Sequence, residues 1–402
     1  MKILVLNCGS SSLKYQLLDM KKESVLAKGN YQRIGEEAAF LEHKVNGSKY
    51  ITTKAVKNHE QALEIILGEL QNKEYSVISS LDEIKGIGHR IVHGGELFKG
   101  SVVITDEVIQ GIAKCACFAP LHNMAAVSGI NACKKNIPNV PMVAVFDTSF
   151  HQTMPKERFL YPLPLKYYEK YGVRKYGAHG TSHDFVSKRL AEIMQVDRKE
   201  INIINCHLGQ GASLCAIKDG KCIDTSMGLT PLGGITMVTR SGDLDPSIVT
   251  YIMEKENISP KDMTSILNKE SGVSAIANMV PDFKEIEDKA NSTRNAEAVL
   301  AIEKFSTTVA EYIARYAVVL GGIDVIVFTG GIGENQARVR EAICNKLNFL
   351  GVTINNDNNN IKGEEVLISD STSSIKVYVI PTNEELEIAK QTIKVAFNME
   401  EV

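Results

Sequence analysis

A chain of 402 residues with 44% hydrophobic content is long enough to bury more than one sizeable core, which favours two folding units over one. Its 45 basic and 48 acidic residues leave a net charge of -3, so there is no basic field to gather nucleic acid, and nucleic acid is not an expected partner. Eight cysteines lie scattered without a C-x-x-C pair, which reads as reduced, mostly buried thiols rather than a disulfide framework or a zinc site.

The chain opens with Met1-Lys2 and an apolar run at 3–6, shorter than the apolar region of a secretory signal and followed by Asn7 without a small-residue cleavage pattern. A cytoplasmic protein is expected. The most apolar later stretch, 317–328, is interrupted by Gly321-Gly322 and Asp324 and falls short of the ~20 apolar residues a membrane helix needs, so no membrane partner is expected.

Short apolar runs at 3–6, 142–146, 201–204, 323–328 and 375–380 end abruptly in polar or glycine residues, as strands buried on both faces of a sheet do. Between them, Leu63, Ile66, Leu67 and Leu70, and later Phe305, Val309, Tyr312, Tyr316 and Leu320, recur at helical spacing. The alternation predicts an α/β protein. A first unit is expected to run to about Phe150, because prolines at 155, 162 and 164 interrupt regular structure beyond it. The run 355–360, built of Asn and Asp, reads as a solvated turn. A last helix over 384–396 has Thr382 and Glu385 at capping-box spacing.

One internal echo stands out. Ile3-Leu4-Val5-Leu6-Asn7-Cys8 and Asn202-Ile203-Ile204-Asn205-Cys206 each precede a Gly/Ser-rich loop that re-enters a strand, at Leu13 and at Leu214. The unequal loop lengths exclude a solenoid repeat and fit an ancient domain duplication, with two strand-loop-strand hairpins facing a shared cleft.

No G-x-x-x-x-G-K-[ST] loop and no protein-kinase H-R-D or D-F-G motif is present. Three other loops offer backbone N–H groups, hydroxyls and cations to a phosphate: Gly9-Ser10-Ser11-Ser12 with Lys14, His207-Leu208-Gly209-Gln210-Gly211, and Thr329-Gly330-Gly331-Ile332-Gly333-Glu334-Asn335 ahead of a helix expected near Gln336. Each alone is equally an ordinary polar turn. Seven of the nine histidines fall between His89 and His207, mostly beside glycine, which suggests a cleft. A zinc-hydrolase pairing of His89 with His93 lacks H-E-x-x-H, and His93, His122 and His183 read as structural histidines. Ser182 is not in a G-x-S-x-G elbow, so a serine hydrolase is not expected. Arg90 and Arg240 stand in glycine-rich surroundings, where the plain alternative is a surface ion pair. Asp147 closes an apolar strand, where a carboxylate either serves a ligand or caps a turn.

Taken in order and spacing, 7–14, 89–96, 119–123, 146–152, 176–183, 207–213, 239–246, 329–335 and 381–385 resemble the acetate kinase family over nearly the whole chain. The resemblance implies an α/β fold of two duplicated actin-like (ribonuclease H-like) domains flanking a nucleotide cleft. It places an N-terminal domain at 1–149 plus 384–402 and a C-terminal, nucleotide-binding domain at 150–383. It also implies a homodimer that transfers a phosphoryl group reversibly from ATP to acetate, giving acetyl phosphate and ADP, with Mg2+ and with Mn2+ as a substitute. By the same resemblance Asn7 and Glu384 organise the metal, Arg90 holds the acid, and Val92, Leu121, Ala178 and Pro231 line its pocket. Lys14, His207, Leu208, Gly209, Gln210, Gly211, Asp282, Phe283, Lys284, Gly330, Gly331, Ile332, Gly333 and Glu334 make the nucleotide site. His179 and Arg240 stabilise the phosphoryl group in flight, and Asp147 is either a proton acceptor or an electrostatic, metal-ordering group. A carboxylate nucleophile is already ionised near neutral pH, which argues against the proton-acceptor role.

The family commonly has Phe, Asn, Pro, Gly and Arg where this chain has Ala178, Gln210, Met124, Val238 and Lys284. A missing phenyl ring predicts a roomier acid pocket, and each accommodated methylene is worth ~1 to 3 kcal/mol of discrimination. Propionate, butyrate or a branched acid are therefore the alternative substrates, and GTP or pyrophosphate the alternative donors. A non-catalytic ATP-binding protein of the same fold is the alternative class.

Overall fold

The computed structural model describes residues 1–399, with the side chain of Leu121 outside the described set. The chain divides into two compact units, Met1–Phe150 with the segment from Asn383 onward, and His151–Thr382.

In unit 1, β1 (Lys2–Cys8), β2 (Ser12–Asp19), β3 (Ser24–Gln32), β4 (Phe40–Val45), β5 (Ser48–Thr53), β6 (Ile84–Ile91), β7 (Val102–Val103) and β8 (Met142–Phe146) form one sheet, ordered β5-β4-β3-β2-β1-β6-β8-β7. β1, β6 and β8 run parallel, and the other pairs are antiparallel. Strand alternation sorts their side chains onto two faces. Leu4, Leu6, Ile87, Ile91, Ala144 and Phe146 join a core with Ala62, Leu63 and Ile66 of the His59–Leu70 helix. On the other face, Gly86 and Gly88 lie against Ile388 and Thr392 of the Glu384–Phe397 helix. Burial on both faces is why 3–6 and 142–146 read as continuous apolar runs.

In unit 2, β9 (Ile203–Leu208), β10 (Ala212–Lys218), β11 (Lys221–Thr225), β12 (Val325–Thr329), β13 (Val366–Leu367) and β14 (Lys376–Val379) are ordered β11-β10-β9-β12-β14-β13. The Ala296–Leu320 helix, at the spacing expected for it, packs Phe305, Val309, Ile313, Tyr316 and Leu320 into a core with Ile204, Cys206, Leu208 and Leu214. The segments β3-β2-β1-β6-β8 and β11-β10-β9-β12-β14 have the same order. In each, two antiparallel pairings are followed by two parallel ones. The duplicated α/β architecture expected from the hairpin echo is therefore present, strand for strand.

Three local expectations are corrected. The last helix starts at Glu384, but Asn383 caps it by accepting from the Leu386 N–H, while the Thr382 N–H donates to Glu334. The Asn-rich run holds a short helix, Asn356–Asn359, whose Asn359 is buried. Its side chain and backbone oxygens, with the Gly333 and Ile361 carbonyls, accept from the fully buried Arg340, a guanidinium that must find acceptors once removed from water. The glycine loop after β12 is itself helical from Gly330 to Asn335, and the helix expected near Gln336 follows it as Ala337–Asn345, with Gln336 at its N-cap position.

The seat of the C-terminal helix gives a test. A Cβ on Gly88 would stand 2.5 Å from Ile388 Cγ2 and 2.5 Å from Thr392 Oγ1, so the helix must shift. Gly88→Ala is expected to lower the stability of the protein by roughly 1–3 kcal/mol in urea unfolding, as overpacking does. Gly68→Ala, which meets open space inside the His59–Leu70 helix, should leave it unchanged or raise it.

Candidate active site

On the face of the unit 1 sheet covered by the Glu384–Phe397 helix, alternation brings Asn7, Arg90 and Asp147 to the C-terminal ends of the parallel strands β1, β6 and β8, the end at which α/β sheets bind ligands. Lys14 pairs directly with Asn7 across the β1-β2 hairpin, and its side chain is exposed. His89 falls by the same alternation on the opposite face, where burial draws its pKa down to about 3, so it is a neutral core histidine. Among the described residues His89 and His93 belong to no cluster with metal-ligating geometry.

Arg90 grips Asp147 at two points: Nε donates to Oδ1 at 3.2 Å and Nη2 donates to Oδ2 at 2.7 Å. Asp147 is 1% exposed, and its charge raises the pKa of Arg90 against the opposing effect of burial. Asp147 is buried and Arg90 half-buried, so neither the surface ion pair nor the turn cap describes these residues. Bidentate pairing locks the guanidinium plane.

Glu384 opens the C-terminal helix, and its Oε1 is buried without a hydrogen-bond partner. Burial pushes its pKa up to about 7; Arg90 and Lys14 pull it down, while Asp147 and Glu385 push it up. A buried carboxylate oxygen without a hydrogen-bond partner, with the Asn7 carboxamide at a strand end on the same face, is a donor set of hard oxygens that suits a small divalent cation such as Mg2+ or Mn2+. Val92 is half-buried, beside His93, whose N–H is held by Asn123.

Unit 2 carries a second constellation. His179 takes a left-handed backbone conformation, φ 58°, at the N-terminus of the Gly180–Met194 helix. Its ring stacks on His207 at 4.2 Å. A hydrogen-bond chain backs it: Ser213 Oγ is 2.8 Å from His179 Nδ1 and 2.9 Å from His183 Nε2. Ser182 Oγ likewise joins His207 Nδ1 to Thr382 Oγ1, each at 2.8 Å. Neither Ser213 nor Ser182 was expected among the functional groups. Their partners are distant in sequence, so no local pattern announces them.

Arg240 is half-buried; its Nη1 donates to the Pro231 carbonyl at 3.0 Å, and no carboxylate among the described residues pairs with it. Burial lowers its pKa without removing its charge. A Cβ at Gly211 would meet Arg240 Nη1 at 3.1 Å and His179 Nε2 at 3.6 Å, so arginine and histidine converge over a residue kept bare. An uncompensated guanidinium beside an imidazole at a helix N-terminus is arranged for an anion.

The remaining expected nucleotide residues divide by what their side chains do. Leu208, Phe283 and Ile332 point into the core of unit 2, Phe283 edge-on to Phe305 at 5.0 Å, so only their backbone is available to a ligand. Ala178 is also a core residue, 4% exposed, and its carbonyl accepts from His151. Gly330, at φ 76°, lies against the Leu208 backbone, which a Cβ would meet at 2.8 Å. Glu334 accepts from the Gly330 and Thr382 N–H groups, tying two loops together. Gln210 donates to the Pro281 carbonyl, Asp282 caps the Phe283–Ser292 helix, and Lys284, Gly331 and Gln210 are exposed, whereas Gly209 and Gly333 are not.

Residues 2–390 match the Acetokinase family. The acetate kinase of Thermoanaerobacterium thermosaccharolyticum is 53% identical over 395 residues, covering 98% of this chain and 99% of its own. That of Treponema denticola is 52% identical over 394 residues, with 98% and 99% covered. Among solved structures, Porphyromonas gingivalis acetate kinase superposes with a TM-score of 0.95 at 44% identity, covering 98% of this chain and 99% of that one. A propionate kinase from Francisella tularensis reaches 0.92 at 41% identity, with 98% and 99% covered.

The raised pKa of Glu384 has a definite sign in stability. The folded state favours the protonated carboxyl, so the contribution is full below the ordinary value of 4.5 and is lost as pH rises through about 7. In metal-free protein, Glu384→Gln should be more stable than the parent by on the order of 2 kcal/mol at about pH 8, with the gap closing towards about pH 5. Urea midpoints across that range measure it.

Proposed function

The chain belongs to the acetokinase family, and from that premise we propose that it moves a phosphoryl group reversibly between ATP and acetate, giving ADP and acetyl phosphate. The observation that carries this reading is Arg240, a half-buried cation without a carboxylate partner among the described residues, converging with His179 over Gly211. Phosphoryl transfer to a carboxylate brings two anions together and spreads charge over the equatorial oxygens of the moving group. One acetate oxygen forms the new bond to phosphorus as the bond to the β–γ bridging oxygen breaks, and that electron pair leaves on ADP. Fixed positive charge is what the reaction needs, and no proton has to be removed from acetate near neutral pH.

In this reading Arg90 meets the acid carboxylate, with Asp147 holding its guanidinium in plane rather than accepting a proton. His179 and Arg240 take the transferring oxygens. His183 Nδ1 is buried without a hydrogen-bond partner, so the ring avoids an unmet donor by carrying its proton on Nε2; in this arrangement His183 Nε2–H donates to Ser213, and Ser213 donates to His179 Nδ1. His179 is thereby left with Nε2–H facing Gly211 and the anion. Lys14, the backbone of 207–211 and 282–284 with the side chains of His207, Gln210, Asp282 and Lys284, and the short Gly330–Asn335 helix serve the nucleotide. Asn7 and Glu384 would hold Mg2+, with Mn2+ as its substitute, and the bound ion would neutralise phosphate charge. The family reading extends to a cytoplasmic homodimer whose two domains are the two units described above.

The side chain at 178 bears on which acids compete. With Ala in place of a phenyl ring, propionate loses little by its extra methylene. Among the described residues no helix is long and apolar enough to cross a membrane.

Trapping acyl phosphate as the hydroxamate from ATP, Mg2+ and acetate tests the proposal. Acetate should be the preferred acid, propionate within about tenfold of it in kcat/KM, and Arg240→Ala should lose ~10³ to 10⁵ in rate. No hydroxamate from any short acid would leave the chain a nucleotide-binding protein without this activity.

A further inference from the structure

Three soft ligand atoms converge in the interior of unit 2. His151 Nδ1, Cys215 Sγ and Cys222 Sγ lie within 4.8 Å of one another, and all three residues are fully buried. Nδ1 stands 3.1 Å from the Cys222 sulfur and 4.0 Å from that of Cys215. The other ring nitrogen, Nε2, is 2.9 Å from the Ala178 carbonyl, which can only accept. The ring proton is therefore on Nε2, and the Nδ1 lone pair faces the two sulfurs. Histidines that ligate metals are oriented in this way by a carbonyl on the far side of the ring.

The strands favour a shared ion over a disulfide. Cys215 pairs with Thr225 and, past a bulge between Ala216 and Ile217, Cys222 pairs with Ile217, so the two cysteines are diagonal rather than direct neighbours. Diagonal positions lie roughly 7–8 Å apart, beyond the ~4.4–6.8 Å between Cα atoms that a disulfide usually spans. The surroundings also hold unused polar capacity. Asn205 pairs directly with Cys215 across β9 and β10, is fully buried, and neither its Oδ1 nor its Nδ2 has a hydrogen-bond partner. His183 Nδ1 is also buried without one, in a ring 5.7 Å from that of His151. Three such atoms in one patch of a packed interior are uncommon.

We propose that His151, Cys215 and Cys222 form a buried site for a thiophilic divalent cation of the zinc class, with Asn205 supplying a fourth, oxygen donor. Charge selects the oxidation state. Each thiol gives up its proton to solvent on binding, so a doubly charged ion, two thiolates and a neutral imidazole sum to zero, whereas a singly charged ion would leave a buried negative charge. The ligand set and its tetrahedral demand match Zn2+. Bound there, the ion clamps β10 and β11 to His151, and through the Ala178 carbonyl it stiffens the residue preceding His179.

The test uses the full-length chain carrying Cys117→Ser, which removes the one exposed thiol among the described residues. Stripped of metal and titrated with Co2+, it should take one ion per chain with thiolate-to-cobalt charge-transfer absorption. Zn2+ should displace that absorption, and Tm should rise on binding. Cys222→Ser and Cys215→Ser should each abolish the band, Cys344→Ser should keep it, and circular dichroism should confirm that each variant is folded. Absence of the band in the parent, or its survival in both Cys222→Ser and Cys215→Ser, overturns the proposal. An oxygen-donor site for Mg2+ gives no thiolate band, so that outcome leaves the kinase reading standing.

Discussion

The two-point pairing of Arg90 with Asp147 is the interaction on which the unit 1 constellation depends. A carboxylate only 1% exposed needs a partner at hydrogen-bond distance, and the parallel register of β6 and β8, which sets Arg90 opposite Val145 and Ile91 opposite Phe146, delivers the arginine to it. The pair presents a guanidinium held in a fixed plane at the sheet's C-terminal end. Glu384, which shares that end, is pushed towards protonation by burial and lacks a hydrogen-bond partner for one oxygen. A site rich in carboxylates and short of one cation has a natural place for a divalent ion.

Unit 2 solves the complementary problem. Its cations are not neutralised from within, since Arg240 spends one donor on a carbonyl and meets no carboxylate among the described residues. His179 is held in a left-handed backbone conformation, which costs a non-glycine residue about 1–2 kcal/mol. Stacking on His207 and the bond to Ser213 keep it there. Strain offset by surrounding contacts, at a position aimed towards bare Gly211, fits a group set in place before its ligand arrives.

Much of this was legible in the sequence for identifiable reasons. Strands buried on both faces leave continuous apolar runs, and a long helix with one packed face leaves Phe305, Val309, Tyr316 and Leu320 at helical spacing. What escaped is what tertiary contact decides. Asn359 looks like a turn residue until Arg340 is seen to need its oxygens. Asn383 rather than Thr382 caps the last helix because the Thr382 N–H and hydroxyl are already engaged by Glu334 and Ser182. Membership of a glycine-rich motif does not say whether a residue offers backbone or side chain, so Leu208, Phe283 and Ile332 sat among ligand-binding candidates while their side chains fill the core. Ser213 and Ser182 are 34 and 25 residues from the histidines they orient, beyond the reach of any local pattern.

The central claim is that fixed charge, not proton removal, drives the transfer, with Asp147 acting on Arg90 alone. Steady-state kinetics of Asp147→Asn with acetate and ATP test it most directly. If Asp147 only orients Arg90, the amide still accepts one hydrogen bond; the loss should then amount to ~1.5–3 kcal/mol and appear mainly in KM for acetate, with kcat within about tenfold of the parent. A fall in kcat of ~10³ or more with KM for acetate unchanged would mean that Asp147 takes a proton in the reaction, and would contradict the account.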